Sequence, residues 1–281
     1  MSDQRPIGVL DSGLGGLTVV QEVIRQLPNE SIIFIGDEAR MPYGVKTHEQ
    51  IISYTREMVQ YLIDQNVKII IYGCNTATAQ ALDAMEKEFT IPMIGVIKPG
   101  AKAATNITQT NHIGIIGTQS TINSKSYNET IKNLDPSADV LGIAAQKFVS
   151  IVESDSANTK QAKENIESTL KPFKNSDYDT LVLGCTHFPM LKKQINDYLP
   201  DIKLVDPALK TVEVAKKYLS DNNLLTDSKT RVLQLHATAN IDDFSKLAKR
   251  WLDVKIDEIN LVDLEDAVAM GGKNERNNHR H

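Results

Sequence analysis

Short apolar runs alternate with segments of helical period through nearly the whole chain, and the alternation begins again near its middle. Strand-like runs occupy residues 7–10, 31–35, 67–72 and 92–96, then 113–116, 139–143, 180–183, 203–205 and 231–235. Between the first of them, Leu17, Val20, Ile24 and Leu27 recur at helical spacing. Thr47-His48-Glu49-Gln50 spells a capping box ahead of Ile51, Ile52, Met58, Val59 and Leu62. Helices are likewise predicted over 77–89, 124–133, 160–171, 189–199, 211–219 and 241–251. Strands separated by helical segments of roughly 10–15 residues build βαβ units, because a parallel neighbour is reached only through a crossover. The fold class is therefore α/β, with mainly parallel sheets.

The restart is more than a rhythm. Ile7-Gly8-Val9-Leu10-Asp11-Ser12 aligns with Ile113-Gly114-Ile115-Ile116-Gly117-Thr118. Ile69-Ile70-Ile71-Tyr72-Gly73-Cys74-Asn75-Thr76 aligns with Thr180-Leu181-Val182-Leu183-Gly184-Cys185-Thr186-His187. Cys74 follows Ser12 by 62 residues and Cys185 follows Thr118 by 67. Each half thus presents a hydroxyl loop after one strand and a Gly-Cys loop after a later one. Two pseudo-symmetric α/β domains are expected. Ligands of parallel sheets bind beyond the carboxyl ends of the strands, so two such lobes facing each other enclose a site at their interface.

A chain of 281 residues has room for about two domains and a core that needs no staples. Its charged fraction of 24% and net charge of −5 give no reason to expect nucleic acid or a membrane as partner. No apolar run approaches the ~18 residues of a membrane-spanning helix, and the first residues carry no signal-peptide pattern. Two cysteines far apart in sequence make no disulfide framework, and reduced thiols fit a cytoplasmic address. The polar stretch 271–281 is expected to be a flexible tail.

Cys74 and Cys185 are the only cysteines. A lone free cysteine is most simply a small buried hydrophobe. Both of these, however, stand just past a strand and ahead of an expected helix start. There the helix dipole and free N–H groups lower a thiol pKa from its usual ~8.5. No C-x₂₋₄-C spacing accompanies them, so neither a metal nor a catalytic disulfide is expected. Asp11-Ser12-Gly13-Leu14-Gly15-Gly16 is a glycine-rich strand–helix loop of the anion-cradling kind, without a nucleotide fingerprint. The Asp11 carboxylate at its mouth suits an ammonium group. Thr118, Thr121 and Ser124 decorate the opening loop of the second half, where capping a helix is the simplest use of a hydroxyl. His187, two residues after Cys185, would favour a thiolate there if protonated.

These residues resemble glutamate racemase, within the aspartate/glutamate racemase superfamily. The resemblance rests on Asp11-Ser12-Gly13, Gly36-Asp37 with Ala39-Arg40, Pro42-Tyr43-Gly44, Cys74-Asn75-Thr76-Ala77-Thr78-Ala79, Gly117-Thr118 with Thr121, and Gly184-Cys185-Thr186-His187. It runs from about Ile7 to about Trp251. It implies a first domain formed by residues 1–97 with 208–270, carrying Cys74, and a second formed by 98–207, carrying Cys185. It implies cofactor-free interconversion of L- and D-glutamate, D-glutamate for peptidoglycan, and a cytoplasmic homodimer. It also implies Cys74 and Cys185 as the paired acid/bases, with Asp11, His187, Asp37 and Glu153 assisting. Substrate contacts are implied at Asp11, Ser12, Tyr43, Gly44, Asn75, Thr76, Thr118, Thr121, Thr186 and His187. Glu38, Lys98 and Ser150 depart from the residues common in the family.

Racemisation at a weakly acidic Cα without a cofactor requires a base on one face, an acid on the other and support for the developing carbanion. Two opposed thiols meet that demand. A related racemase acting on aspartate or another small acid is the nearest alternative. A non-catalytic amino-acid-binding protein is the alternative from another class, but binding alone has no use for paired thiols.

Overall fold

The computed structural model describes residues 2–264, so the tail expected over 271–281 lies outside the described residues. Among them ten strands form two separate sheets in which every pairing is parallel. The first half supplies β1 (Ile7–Asp11), β2 (Ile32–Gly36), β3 (Ile69–Tyr72) and β4 (Met93–Gly95), alternating with α1 (Leu17–Gln26), α2 (His48–Asp64) and α3 (Asn75–Glu88). After α4 (Ile97–Ile107) the second half supplies β5 (His112–Gly117), α5 (Gln119–Asn123), α6 (Ser126–Leu134), β6 (Asp139–Ala144), α7 (Gln146–Glu153), α8 (Lys160–Leu170), β7 (Thr180–Gly184), α9 (Lys192–Tyr198) and β8 (Lys203–Val205). The chain then returns through α10 (Pro207–Asp221), β9 (Leu233–Ala237), α11 (Ile241–Trp251) and β10 (Glu258–Leu261).

The six-stranded sheet has the order β10-β9-β2-β1-β3-β4 and the four-stranded sheet β6-β5-β7-β8. The block β2-β1-β3-β4 thus repeats as β6-β5-β7-β8. In each, the first strand of the half lies between the second and third. This is the duplication that the matched loops announced. Strands β9 and β10, from the C-terminal part of the chain, extend the first sheet beyond β2.

The central strands are buried on both faces, so they read as continuous apolar runs rather than alternating ones. In the first lobe one core joins β1, β2 and β9 to α1, α10 and α11, and another lies under α2 and α3. In the second lobe α7, α8 and α9 cover one face, and α4 and α6 the other. Trp251 packs against cores of both lobes.

The Thr47 capping box forms as its sequence predicts, with Gln50 as the reciprocal partner. Four elements had no clear sequence signal, the five-residue α5 among them. Helix α4 begins Ile97-Lys98-Pro99-Gly100, which reads as a turn; proline is tolerated there because a first-turn N–H has no intrahelical partner. Helix α7 is only eight residues long, and edge strand β10 is four residues, largely exposed.

Candidate active site

The carboxyl ends of β1, β3 and β7, the 41–44 segment, Thr118 and α7 converge on one enclosed cavity. Ser12 and Gly13 come from the loop after β1. Met41, Pro42, Tyr43 and Gly44 come from the segment after β2. Cys74, Asn75 and Thr76 follow β3, and Cys185, Thr186 and His187 follow β7. Thr118, Val149 and Glu153 complete the wall. Both cysteines therefore face the same small space, one from each sheet.

Cys74 is the N-cap of α3, and its sulfur accepts the Ala77 N–H at 3.4 Å. Its S–H points to the Ser12 hydroxyl at 3.6 Å. The helix start was expected to lower this thiol's pKa. Burial, reinforced by the Asp11 carboxylate, instead pushes it up to about 12, and the Ala77 N–H offsets that only in part. Cys74 holds its proton at neutral pH in this closed arrangement.

Cys185 departs from the expected helix start. It leads into a short 3₁₀ turn, Phe188–Leu191, and α9 begins only at Lys192. A different positive charge stands beside it. His187 Nδ1 lies 3.6 Å from the Cys185 sulfur, and Nε2 lies 3.1 Å from Glu153 Oε1. Burial opposes charge on this ring, but its two acceptors outweigh burial and push the imidazole pKa up to about 10. An imidazolium donates from both nitrogens, which matches a sulfur on one side and a carboxylate on the other.

Asp11 is fully buried and does not line the cavity. Its carboxylate accepts the Ser12 N–H at 2.8 Å and the Thr186 hydroxyl at 2.9 Å, so it ties the loop after β1 to the second cysteine loop. Burial pushes it up to about 6, against the pull of the nearby His187 charge. Thr76, Thr118 and Thr121 join their hydroxyls at 2.9–3.1 Å across the lobe interface. Thr118 also caps α5 through the Thr121 N–H, the simple use anticipated for it. Of the three hydroxyls, Thr121 alone does not line the cavity.

Asp37 sits behind the wall. Its Oδ2 receives the Tyr43 hydroxyl and the Arg40 Nε, and its Oδ1 receives the Thr238 hydroxyl at 2.9 Å. Asp37 thus fixes Tyr43, whose neighbour Gly44 lines the cavity where a Cβ would stand 2.7 Å from the Thr118 side chain. Sequence reading missed Thr238 and also Tyr127, which donates to Asn75 Oδ1 at 2.7 Å. Neither lies in a motif, and each is far from its partner along the chain. Lys98 and Ser150 are exposed and lie outside this cavity. Among the described residues, no three His, Cys, Asp or Glu side chains cluster as metal ligands, and no helix is long and apolar enough to cross a membrane.

Gly15 is a point of close approach between the loop after β1 and the second cysteine loop. A Cβ there would stand 2.5 Å from Thr186 Oγ1 and 2.7 Å from the His187 ring. Gly15→Ala is expected to push the second cysteine loop away, costing about 1–3 kcal/mol in urea unfolding. Displacing Cys185 relative to Cys74 by even 1 Å is expected to lower kcat/KM on the order of 10²-fold. Unchanged turnover in this variant would mean that the loops can shift without consequence.

The cavity between the cysteines is only about 20 Å³. That is about one water's worth of space, against the ~300–1,000 Å³ of a ligand pocket. A ligand of ordinary size therefore needs the walls of this cavity to move apart, and their return would exclude water from the cysteines.

The family model for Asp/Glu/hydantoin racemases matches residues 7–215. A glutamate racemase of Limosilactobacillus reuteri is 45% identical over 251 residues, covering 89% of this chain and 94% of that protein. The crystal structure of a glutamate racemase isoform from Bacillus anthracis superposes with a TM-score of 0.90 at 38% identity, covering 93% of this chain and 98% of that one. A glutamate racemase of Francisella tularensis, solved in complex with D-glutamate, superposes with a TM-score of 0.88 at 35% identity, covering 94% and 99%. The chain belongs to the Asp/Glu/hydantoin racemase family, among its glutamate racemases.

Proposed function

We propose that this protein interconverts L- and D-glutamate by moving the Cα proton between Cys74 and Cys185, without a cofactor. The observation that carries this reading is the single cavity lined by both cysteines, each from an equivalent loop of a duplicated fold. Glutamate as substrate is supported by the relatives, one of them solved with D-glutamate.

In the closed site Cys74 carries a proton and the Cys185 sulfur faces the His187 charge. One cysteine removes the proton from one face, and the opposite thiol delivers another to the other face. The roles exchange for the other enantiomer. Carbanion character grows toward the α-carboxylate, where Ser12, Asn75 and Thr76 offer donors. Such donors count for more once water is excluded. Glu153 orients the His187 ring, and Asp11 holds Thr186 in place between the loops.

The chain divides for this purpose into a first domain of 1–97 with 208–270 and a second of 98–207. The product role is supply of D-glutamate for peptidoglycan, in the cytoplasm, by a homodimer. The test is purified protein with L-glutamate in D₂O and no added cofactor, followed by circular dichroism and proton NMR. Loss of optical signal with deuterium entering Cα is the expected result. Activity on L-aspartate alone would move the substrate, and inertness toward both would replace catalysis with binding.

A further inference from the structure

Glu38 follows Asp37 on the segment after β2, and only part of its carboxyl is used to hold the loop after β1. Its Oε1 is buried without a hydrogen-bond partner. That oxygen stands 3.1 Å from where a Gly13 Cβ would be, a point that also lies 3.1 Å from the Met41 sulfur. Gly13 and Met41 both line the cysteine cavity, so the carboxyl sits directly behind that wall. The titratable groups facing it are Glu153 of α7, His187 of the loop after β7 and Asp11 at the end of β1. The Leu14 N–H is the one hydrogen bond that supports its charged form. On its own segment, Asp37 and Arg40 are taken up with each other, with Tyr43 and with Glu57 of α2.

Resting on the racemase reading, we infer that Glu38 is a positioning residue for the Cys185 side of the reaction, a third carboxyl behind the wall of the cavity that Glu153 and His187 also line. Its charge acts on His187 through space. A negative Glu38 adds to the field that keeps the imidazole protonated beside Cys185, and a neutral one subtracts from it. Burial, helped by Glu153, pushes Glu38 up to about 7. The carboxyl therefore changes charge near neutral pH. As pH rises through that value Glu38 becomes anionic and holds the His187 proton more firmly.

Glu38→Gln removes the charge with little change of shape, so His187 loses its proton at lower pH. The alkaline limb of the kcat/KM profile is expected to move to lower pH. L- and D-glutamate have equal free energies, so kcat/KM must shift identically in both directions. Histidine ¹⁵N NMR on the free enzyme should show the His187 titration moving the same way. Glu38→Asp keeps the charge and should leave the limb closer to wild type than Glu38→Gln does. Superimposed limbs and His187 titrations for wild type and Glu38→Gln would overturn the inference, as would a Glu38→Asp profile matching Glu38→Gln. Both results presuppose an active wild type. A wild type that fails to exchange the Cα proton in D₂O would instead overturn the racemase reading.

Discussion

Cys74→Ala and Cys185→Ala, made singly, are each expected to lower racemisation on the order of 10³-fold or more, the usual share of a positioned acid or base. The reason is that inversion uses both groups in every turnover, one to take a proton and one to give it. With no free-energy difference between enantiomers, kcat/KM must fall by the same factor from the L and the D side. Removing either sulfur should leave the fold in place. Both side chains are small, and a buried substitution of this size costs about 1 kcal/mol. Urea unfolding beside polarimetry separates the two effects. Either variant turning over glutamate near the wild-type rate would sink the two-base scheme, whereas equal loss with an intact unfolding transition supports it. The double variant is expected to be no worse than either single one, since groups that act as a unit are not additive.

Lys68→Met is expected to be the most damaging substitution away from the site, with a loss of about 3–5 kcal/mol in urea unfolding. Lys68 lies just before β3, at the end of the first sheet away from the cysteines. Its side chain is fully buried, and the ammonium lies 2.6 Å from Glu30 Oε2. It also donates to the carbonyls of Asp3 and Leu224, each at 2.8 Å. Glu30 Oε1 in turn receives the Thr226 N–H at 2.9 Å. One cation thus gathers the chain's start, the turn before β2 and the segment after α10. Removing it strands a buried carboxylate and two carbonyls together. The loss is a large share of the ~5–15 kcal/mol by which a domain is stable. The folded fraction should keep its activity because the pair is remote from the cavity. A loss under about 1 kcal/mol would mean that water reaches Glu30 in the variant.

The α/β class was legible because buried parallel strands and amphipathic helices write different periods, and those periods depend on nearest neighbours alone. The two cysteine loops were legible for a related reason. A duplicated loop repeats its residue types, and Gly-Cys after an apolar run stands out twice. The capping box at Thr47 and the capping role of Thr118 are local chemistry and needed only three residues of context. Elements with weak local signals were missed: α4 behind Pro99-Gly100, α5 with its five residues, α7 with its eight residues, and the exposed edge strand β10.

What the sequence by itself determined was an α/β chain in two similar halves, each offering a hydroxyl loop and a thiol loop at the carboxyl ends of its strands. What only the tertiary structure decided was the electrostatics of those thiols. A helix start predicted a lowered pKa for both cysteines, yet burial beside Asp11 raises that of Cys74, and at Cys185 the helix end is missing while the His187 neighbour that the sequence offered is in place. The field at a group is set by every charge and by the water excluded around it, whatever their separation along the chain. Asp11 reaches Thr186 across 175 residues, and Thr238 reaches Asp37 across 201. Local pattern carries no record of such contacts, so the loops could be found in the sequence but their charge states could not.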